Sequence, residues 1–147
     1  MATMTRAQRT AFLADVHVGV LSVNRPDGGR APLAVPIWYA WSTDGVISVV
    51  TSSASQKGQA IGAAGRYSLV AQQEAPPYRY VGVEGPVVTS EACELERDLR
   101  PLATRYLGAE AGGAYAEAWH ALDPEATVYR MRPEHWLSYD ATDELGI

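Results

Sequence analysis

The sequence predicts a mainly β fold: an antiparallel sheet curled into a barrel, with helices inserted late. Three observations carry this. Short apolar runs alternate with polar positions and are bounded by Gly, Pro and Asp turns. The runs follow one another through hairpin connections rather than the long crossovers that parallel strands need. Two amphipathic helical segments fall together late in the chain instead of alternating with strands, which argues against a doubly wound sheet. With 147 residues and 47% hydrophobic content, the chain can bury a core as one domain, 1–147.

Each element can be read in turn. Thr5-Arg6-Ala7-Gln8 has capping-box spacing and opens a helix through about Ala14, with Phe12 and Val16 expected to face the core. Val18 to Asn24 reads as a strand, with Val18, Val20 and Ser22 opposite Leu21 and Val23. Arg25-Pro26-Asp27-Gly28-Gly29 is a turn. Ala31 to Trp41 is a second long strand, in which Pro32 and Pro36 mark an edge or bulge. Asp44-Gly45 makes a hairpin turn into Val46 to Thr51. Arg66 to Gln72 and Tyr78 to Thr89 follow as strands, with Gly82 and Gly85 as bulge or close-approach sites. Glu91 to Leu107 reads as a helix carrying Leu95, Leu99, Leu102 and Tyr106 at helical spacing. Glu110 to Leu122 is a second, with Tyr115, Trp119 and Leu122 on one face. Thr127 to Met131 and Trp136 to Tyr139 are late strands around Pro133.

The segment richest in chemistry is Thr51-Ser52-Ser53-Ala54-Ser55-Gln56-Lys57-Gly58, between a strand and a short helical run. Four hydroxyls and a lysine at a helix start can seat a phosphate: free N–H groups point at the anion, hydroxyls donate, and the ammonium supplies charge. The same residues also read as a Ser-rich N-cap with a solvated lysine. Lys57 is the only lysine in the chain. Gly58, Gly62 and Gly65 match no nucleotide-binding fingerprint and read instead as close-packing or helix-ending positions.

Other chemistry is argued against. His17, His120 and His135 lack ligand spacing, so no metal is expected. Cys93 lies among acidic residues, which oppose a thiolate, and there is no Gly-x-Ser-x-Gly elbow. Net charge is −5 without a basic cluster, so nucleic acid is not expected as a partner. No apolar run suits a membrane span or signal peptide, and a single cysteine suits a reducing cytoplasm. Self-contained catalytic machinery is missing; a bound cofactor would have to carry any reaction, and no catalytic residue is assigned.

Four segments together resemble the pyridoxamine 5'-phosphate oxidase-like proteins, the flavin/deazaflavin oxidoreductases with a split β-barrel, FMN-binding-like fold. They are Phe12 to Val23, Pro26 to Tyr39, Thr51 to Lys57, and Pro76 to Val87. The resemblance implies a homodimer with the cofactor in a groove between subunits. Lys57 would hold the cofactor phosphate, with Thr51, Ser52, Ser55 and Gln56 in the same loop. Val35, Pro36, Ile37 and Trp38 would pass beside the ring, and Pro77, Tyr78, Arg79 and Tyr80 would reach the site from the second subunit. Trp38, Tyr78 and Tyr80 would wall the pocket; strand packing accounts for the same aromatics. Members often carry arginine where this chain has Gln56, a charge that Arg66 or Arg79 would have to restore. The implied activity is hydride transfer between coenzyme F420 and a small unsaturated or conjugated substrate. FMN is the alternative cofactor, and a non-catalytic carrier the alternative role. The stretch Arg132-Pro133-Glu134-His135 lacks the second arginine expected of vitamin B6 oxidation. Tyr39, Tyr78 and solvent stay open as proton sources.

Overall fold

The computed structural model describes residues 2–145. The elements, in chain order, are α1 (Arg6–Ala14), β1 (Gly19–Val23), β2 (Leu33–Ile37), β3 (Ala40–Trp41), β4 (Ile47–Ser52), α2 (Gln56–Ala64), β5 (Arg66–Gln73) and β6 (Arg79–Ala92). A π-turn, Leu95–Leu99, leads into α3 (Arg100–Leu107), followed by α4 (Ala109–Leu122), β7 (Ala126–Met131), β8 (His135–Asp140) and α5 (Thr142–Leu145). The sheet order is β2-β1-β5-β6-β7-β4-β3, with β8 also paired to β6, and every pairing is antiparallel. Its two end strands, β2 and β3, are joined by only Trp38 and Tyr39. A link that short holds the ends within about 11 Å of each other, so the sheet must curl. The result is the split-barrel fold that the resemblance implies.

Side-chain alternation distributes the strands between two apolar clusters. Ile47 and Val49 of β4 join Tyr129 and Met131 of β7, Leu69 of β5 and Phe12 and Leu13 of α1 inside the barrel. Val50 and Val128, on the opposite faces of the same strands, join Leu99, Leu102, Ala103 and Ala116 beneath α3 and α4. The Tyr67 hydroxyl, buried between strands, lies 3.0 Å from the Tyr129 carbonyl and 3.2 Å from that of Ile47.

Most elements form where the pattern places them, including the reciprocal Thr5–Gln8 capping box of α1. Four details differ. Val16 and Val18 are exposed, because α1 ends at Ala14 and the chain then leaves the core. The long strand over Ala31 to Trp41 divides into β2 and β3, which pair with different neighbours at opposite ends of the sheet. Glu91 and Ala92 are strand rather than helix: a register shift between Val87 and Thr89 lets β6 continue against β7. Helical structure begins only with the π-turn, where Pro101 has no N–H to donate back to residue 97. Finally, α4 buries Gly112, Gly113 and Ala116 and leaves Tyr115 and Leu122 exposed. The small residues let α4 sit closely on α3, which turns its aromatic face outward.

The π-turn is pinned by Asp98, whose carboxylate accepts from the Glu94 amide at 2.9 Å and from Arg97 and Arg130 at 2.7 and 2.8 Å. Burial pushes this carboxyl up, but the Arg97 and Glu94 hydrogen bonds and the two guanidinium charges outweigh it and hold it below its ordinary value. A depressed carboxylate contributes stability that is present above its unfolded value of about 3.9 and lost as pH falls through the folded value. Asp98→Asn is therefore expected to lower stability at neutral pH and to flatten the acid limb. Urea unfolding followed from neutral into acid conditions checks this, and an unchanged acid limb would contradict it.

Candidate functional site

The site is built where β4 ends and α2 begins. Ser55 caps α2, its hydroxyl oxygen accepting from the Gly58 amide at 3.0 Å while the hydroxyl donates to the Ser52 carbonyl at 2.7 Å. Thr51, almost fully buried, lies 3.0 Å from the Ser55 hydroxyl. These two hydroxyls are thus committed to the loop itself. Ser52 differs: its oxygen accepts from the Ala54 amide at 3.2 Å, leaving its own proton free to donate outward. The Gln56 and Lys57 amides, in the first turn of α2, have no hydrogen-bond acceptor among the described residues. The half-buried Lys57 ammonium likewise forms no ion pair or hydrogen bond there.

A cleft of about 310 Å³ opens over this turn. It brings together Pro36, Ile37 and Trp38 from the end of β2 with Thr51, Ser52 and Lys57. Trp38 is clamped by Tyr106, the rings stacked at 4.8 Å and only 7° from parallel. Tyr106 is itself fixed, its hydroxyl donating to the His17 carbonyl at 2.7 Å and accepting from the Tyr39 amide at 3.1 Å. Tyr115 tilts over Trp38 at 5.4 Å and meets Trp119 edge-on at 6.0 Å. The wall is therefore a run of aromatic faces ending in Asp123, beside a seat of one cation and one free hydroxyl at the open first turn of α2.

The sequence pattern places Tyr115 and Trp119 only on one face of a late helix and gives no sign of either, or of Asp123, as a site residue. The nearest hint is the i, i+4 aromatic pair on a helix whose other face is Gly and Ala, the pattern of a helix that packs by its small side.

The remaining expected residues lie elsewhere in the chain. Val35 packs against the barrel core. Gln56 points away from the cleft, toward Arg25, with their side chains 3.4 Å apart. Tyr80 stacks on Tyr139, Tyr78 is exposed, and Arg79 is held by Gln73 and lies over Phe12. Arg66 pairs with Glu84 and Glu134. Within one chain, then, neither Arg66 nor Arg79 restores the charge missing at Gln56; Arg25 is the nearby cation. Tyr39 is also removed as a proton source. It is fully buried, its hydroxyl donates to the Leu13 carbonyl at 2.7 Å, and burial drives its acidity well below that of an ordinary tyrosine. Cys93 sits in the loop after β6 rather than on a helix, and burial, with Asp98 nearby, pushes its thiol up to about 12.

The sequence profile described as pyridoxamine 5'-phosphate oxidase matches residues 5–140. The chain belongs to the pyridoxamine 5'-phosphate oxidase family. This is a family of flavin-binding oxidoreductases. Among solved structures, the chain resembles an F420 reductase at 22% identity and a TM-score of 0.68, over 86% of this chain and 94% of that one. It also resembles a conserved hypothetical protein of Mycobacterium tuberculosis, 24% identical with a TM-score of 0.72, over 98% and 89% of the two chains. A third is an FAD-binding protein of Mesorhizobium loti, 20% identical with a TM-score of 0.60, over 93% and 94%. At these identities the likeness is one of fold. None of the curated proteins matches the chain. No helix among the described residues is long and apolar enough to cross a membrane.

Proposed function

We propose that this member of the family is a homodimeric oxidoreductase that binds coenzyme F420 and acts on a small unsaturated or conjugated organic substrate. The carrying observation is the cleft in which an unpaired Lys57, a free Ser52 proton and the open first turn of α2 face a rigid wall of aromatic rings. That donor set fits a cofactor with a phosphate at one end and a flat ring at the other. Lys57, Ser52 and the two amides would hold the phosphate; Trp38, fixed by Tyr106, would support the ring and exclude water. When bound, reduced F420 supplies a hydride. The protein's own part is binding and orientation.

FMN in the same seat is the second reading, since it too carries a phosphate. Two observations favour the deazaflavin. Gln56 leaves the loop less crowded than arginine would. Beyond it, Arg25 and Arg30 line a further hollow of about 210 Å³ with Asp27, Gln56 and Gln59, an exit with a net positive lining for an anionic tail. Asp123 makes the opposite side of the cleft unfavourable for such a tail. In the dimer, Pro77 to Tyr80 of the second subunit would complete the groove. The experiment is a paired fluorescence titration of F420 and FMN at one salt concentration, on protein whose mass by light scattering is that of two chains. Tighter F420 binding is expected. FMN binding more tightly, or co-purifying at near one per chain, would transfer the assignment to FMN. A monomer with full affinity would remove the shared groove.

A further inference from the structure

We propose that a second cavity, at the other end of β4, binds an aromatic carboxylate. It measures about 580 Å³ and is lined by Arg6, Arg9 and Arg132 with Trp41 and Trp136. It opens beside Gly45, before β4, whereas the Lys57 cleft opens beside Ser52, at that strand's end. Within one chain the two are about 20 Å apart at strand rise.

Three features point to an anion carrying a ring. The first is uncompensated charge. Most arginines of this acidic chain are neutralised or committed: Arg66, Arg97, Arg100 and Arg130 sit in carboxylate pairs, Arg105 donates to three backbone carbonyls, Arg79 to Gln73, and Arg25 to Gln56 and the Ala31 carbonyl. Arg6, Arg9 and Arg132 form no salt bridge among the described residues, yet they converge on one hollow. The single carboxylate lining it, Asp44, accepts from the Ser42 hydroxyl and feels the Arg132 charge, so it offsets only one of the three cations. Gathering like charges is costly unless an anion shares them.

The second is an unmet donor. The Nε of Arg9, a residue that lines the hollow, is buried with no hydrogen-bond partner among the described residues, a condition that costs stability. The third is an apolar frame. The Arg9 guanidinium lies 4.7 Å from the centre of the Trp136 ring, and Trp41 meets Trp136 edge-on at 6.3 Å. Indole faces beside guanidinium forks suit a planar ring ending in a carboxylate.

The fold also fixes the corner that carries this charge. The Arg132 amide donates to the Pro86 carbonyl at 3.1 Å, and the Glu134 amide to that of Glu84 at 2.8 Å. A Cβ on Gly85 would stand only 1.9 Å from the Arg132 carbonyl oxygen, so this close approach requires glycine.

The test is calorimetric titration of the full chain with naphthalene-1-carboxylate, against naphthalene-1-carboxamide and acetate as controls for charge and ring. One equivalent of the carboxylate per chain is expected to bind at least ten-fold more tightly than either control. Arg132→Ala, at an exposed position, should weaken it about ten-fold, and Arg9→Ala at least as much. Lys57→Ala should leave it within about two-fold, because that lysine belongs to the other cleft. Equal affinity for the carboxamide, no change in the two arginine variants, or loss of binding in Lys57→Ala would each overturn the proposal. None of these outcomes depends on which cofactor the Lys57 cleft takes.

Discussion

Lys57→Ala is expected to weaken binding of F420 and FMN alike by about 1.5–3 kcal/mol, the usual worth of a hydrogen bond to a charged group. This is the one lysine of the chain, it is half-buried, and it stands on the first turn of α2 beside two free amides. It forms no ion pair among the described residues, so its charge is available to a phosphate and its removal breaks no ion pair there. Fold stability should therefore change little while affinity falls. The loss should shrink as salt rises, since the ammonium is partly open to solvent and screened. Dissociation constants for both cofactors equal to those of the unaltered protein would place the phosphate elsewhere.

Gly58→Ala should be the most damaging small substitution at the site. A Cβ there would lie 2.2 Å from the Ser52 carbonyl oxygen and 2.9 Å from the Ser53 Cα. Both are backbone atoms, so no side chain can rotate out of the way; the first turn of α2 must lift off the end of β4. Overpacking of this kind costs about 1–3 kcal/mol. Here it also moves Lys57 and the two amides away from Ser52, so cofactor affinity should fall together with stability. Gly62→Ala supplies the contrast. It lies in the same helix with nothing within 4 Å of the added methyl, and should stabilise by about 0.4–1 kcal/mol. Urea unfolding of the two variants, with their cofactor titrations, separates the effects. Equal stabilities would mean that α2 does not press on β4 as described.

Local rules made the loop legible. Ser55 as N-cap, Gly58 as a close-packing residue and the left-handed Gly65 ending α2 all follow from what each residue type can do in its own turn. The hairpins and the Thr5–Gln8 box were equally readable, because turns and caps are decided within four or five residues. The resemblance sharpened the barrel to a split barrel and suggested which cofactor group Lys57 would meet, neither of which periodicity alone could supply.

Tertiary structure decided the rest. Which hydroxyl is free to donate depends on partners across the turn: Thr51 and Ser55 spend theirs on the loop, and Ser52 does not. Which face of α4 is buried depends on how closely α3 can approach, and that choice delivered Tyr115 and Trp119 to the cleft. Where each arginine ends up depends on strand register, which sent Arg66 to Glu84 and Glu134, Arg79 to Gln73, and Arg25 to Gln56. The sequence by itself determined the turns, the caps, the alternating strands and the Ser-rich loop that opens α2, since these are short-range preferences. It could not determine which distant charges and rings meet, since those meetings are set by the curl of the sheet and the packing of its helices.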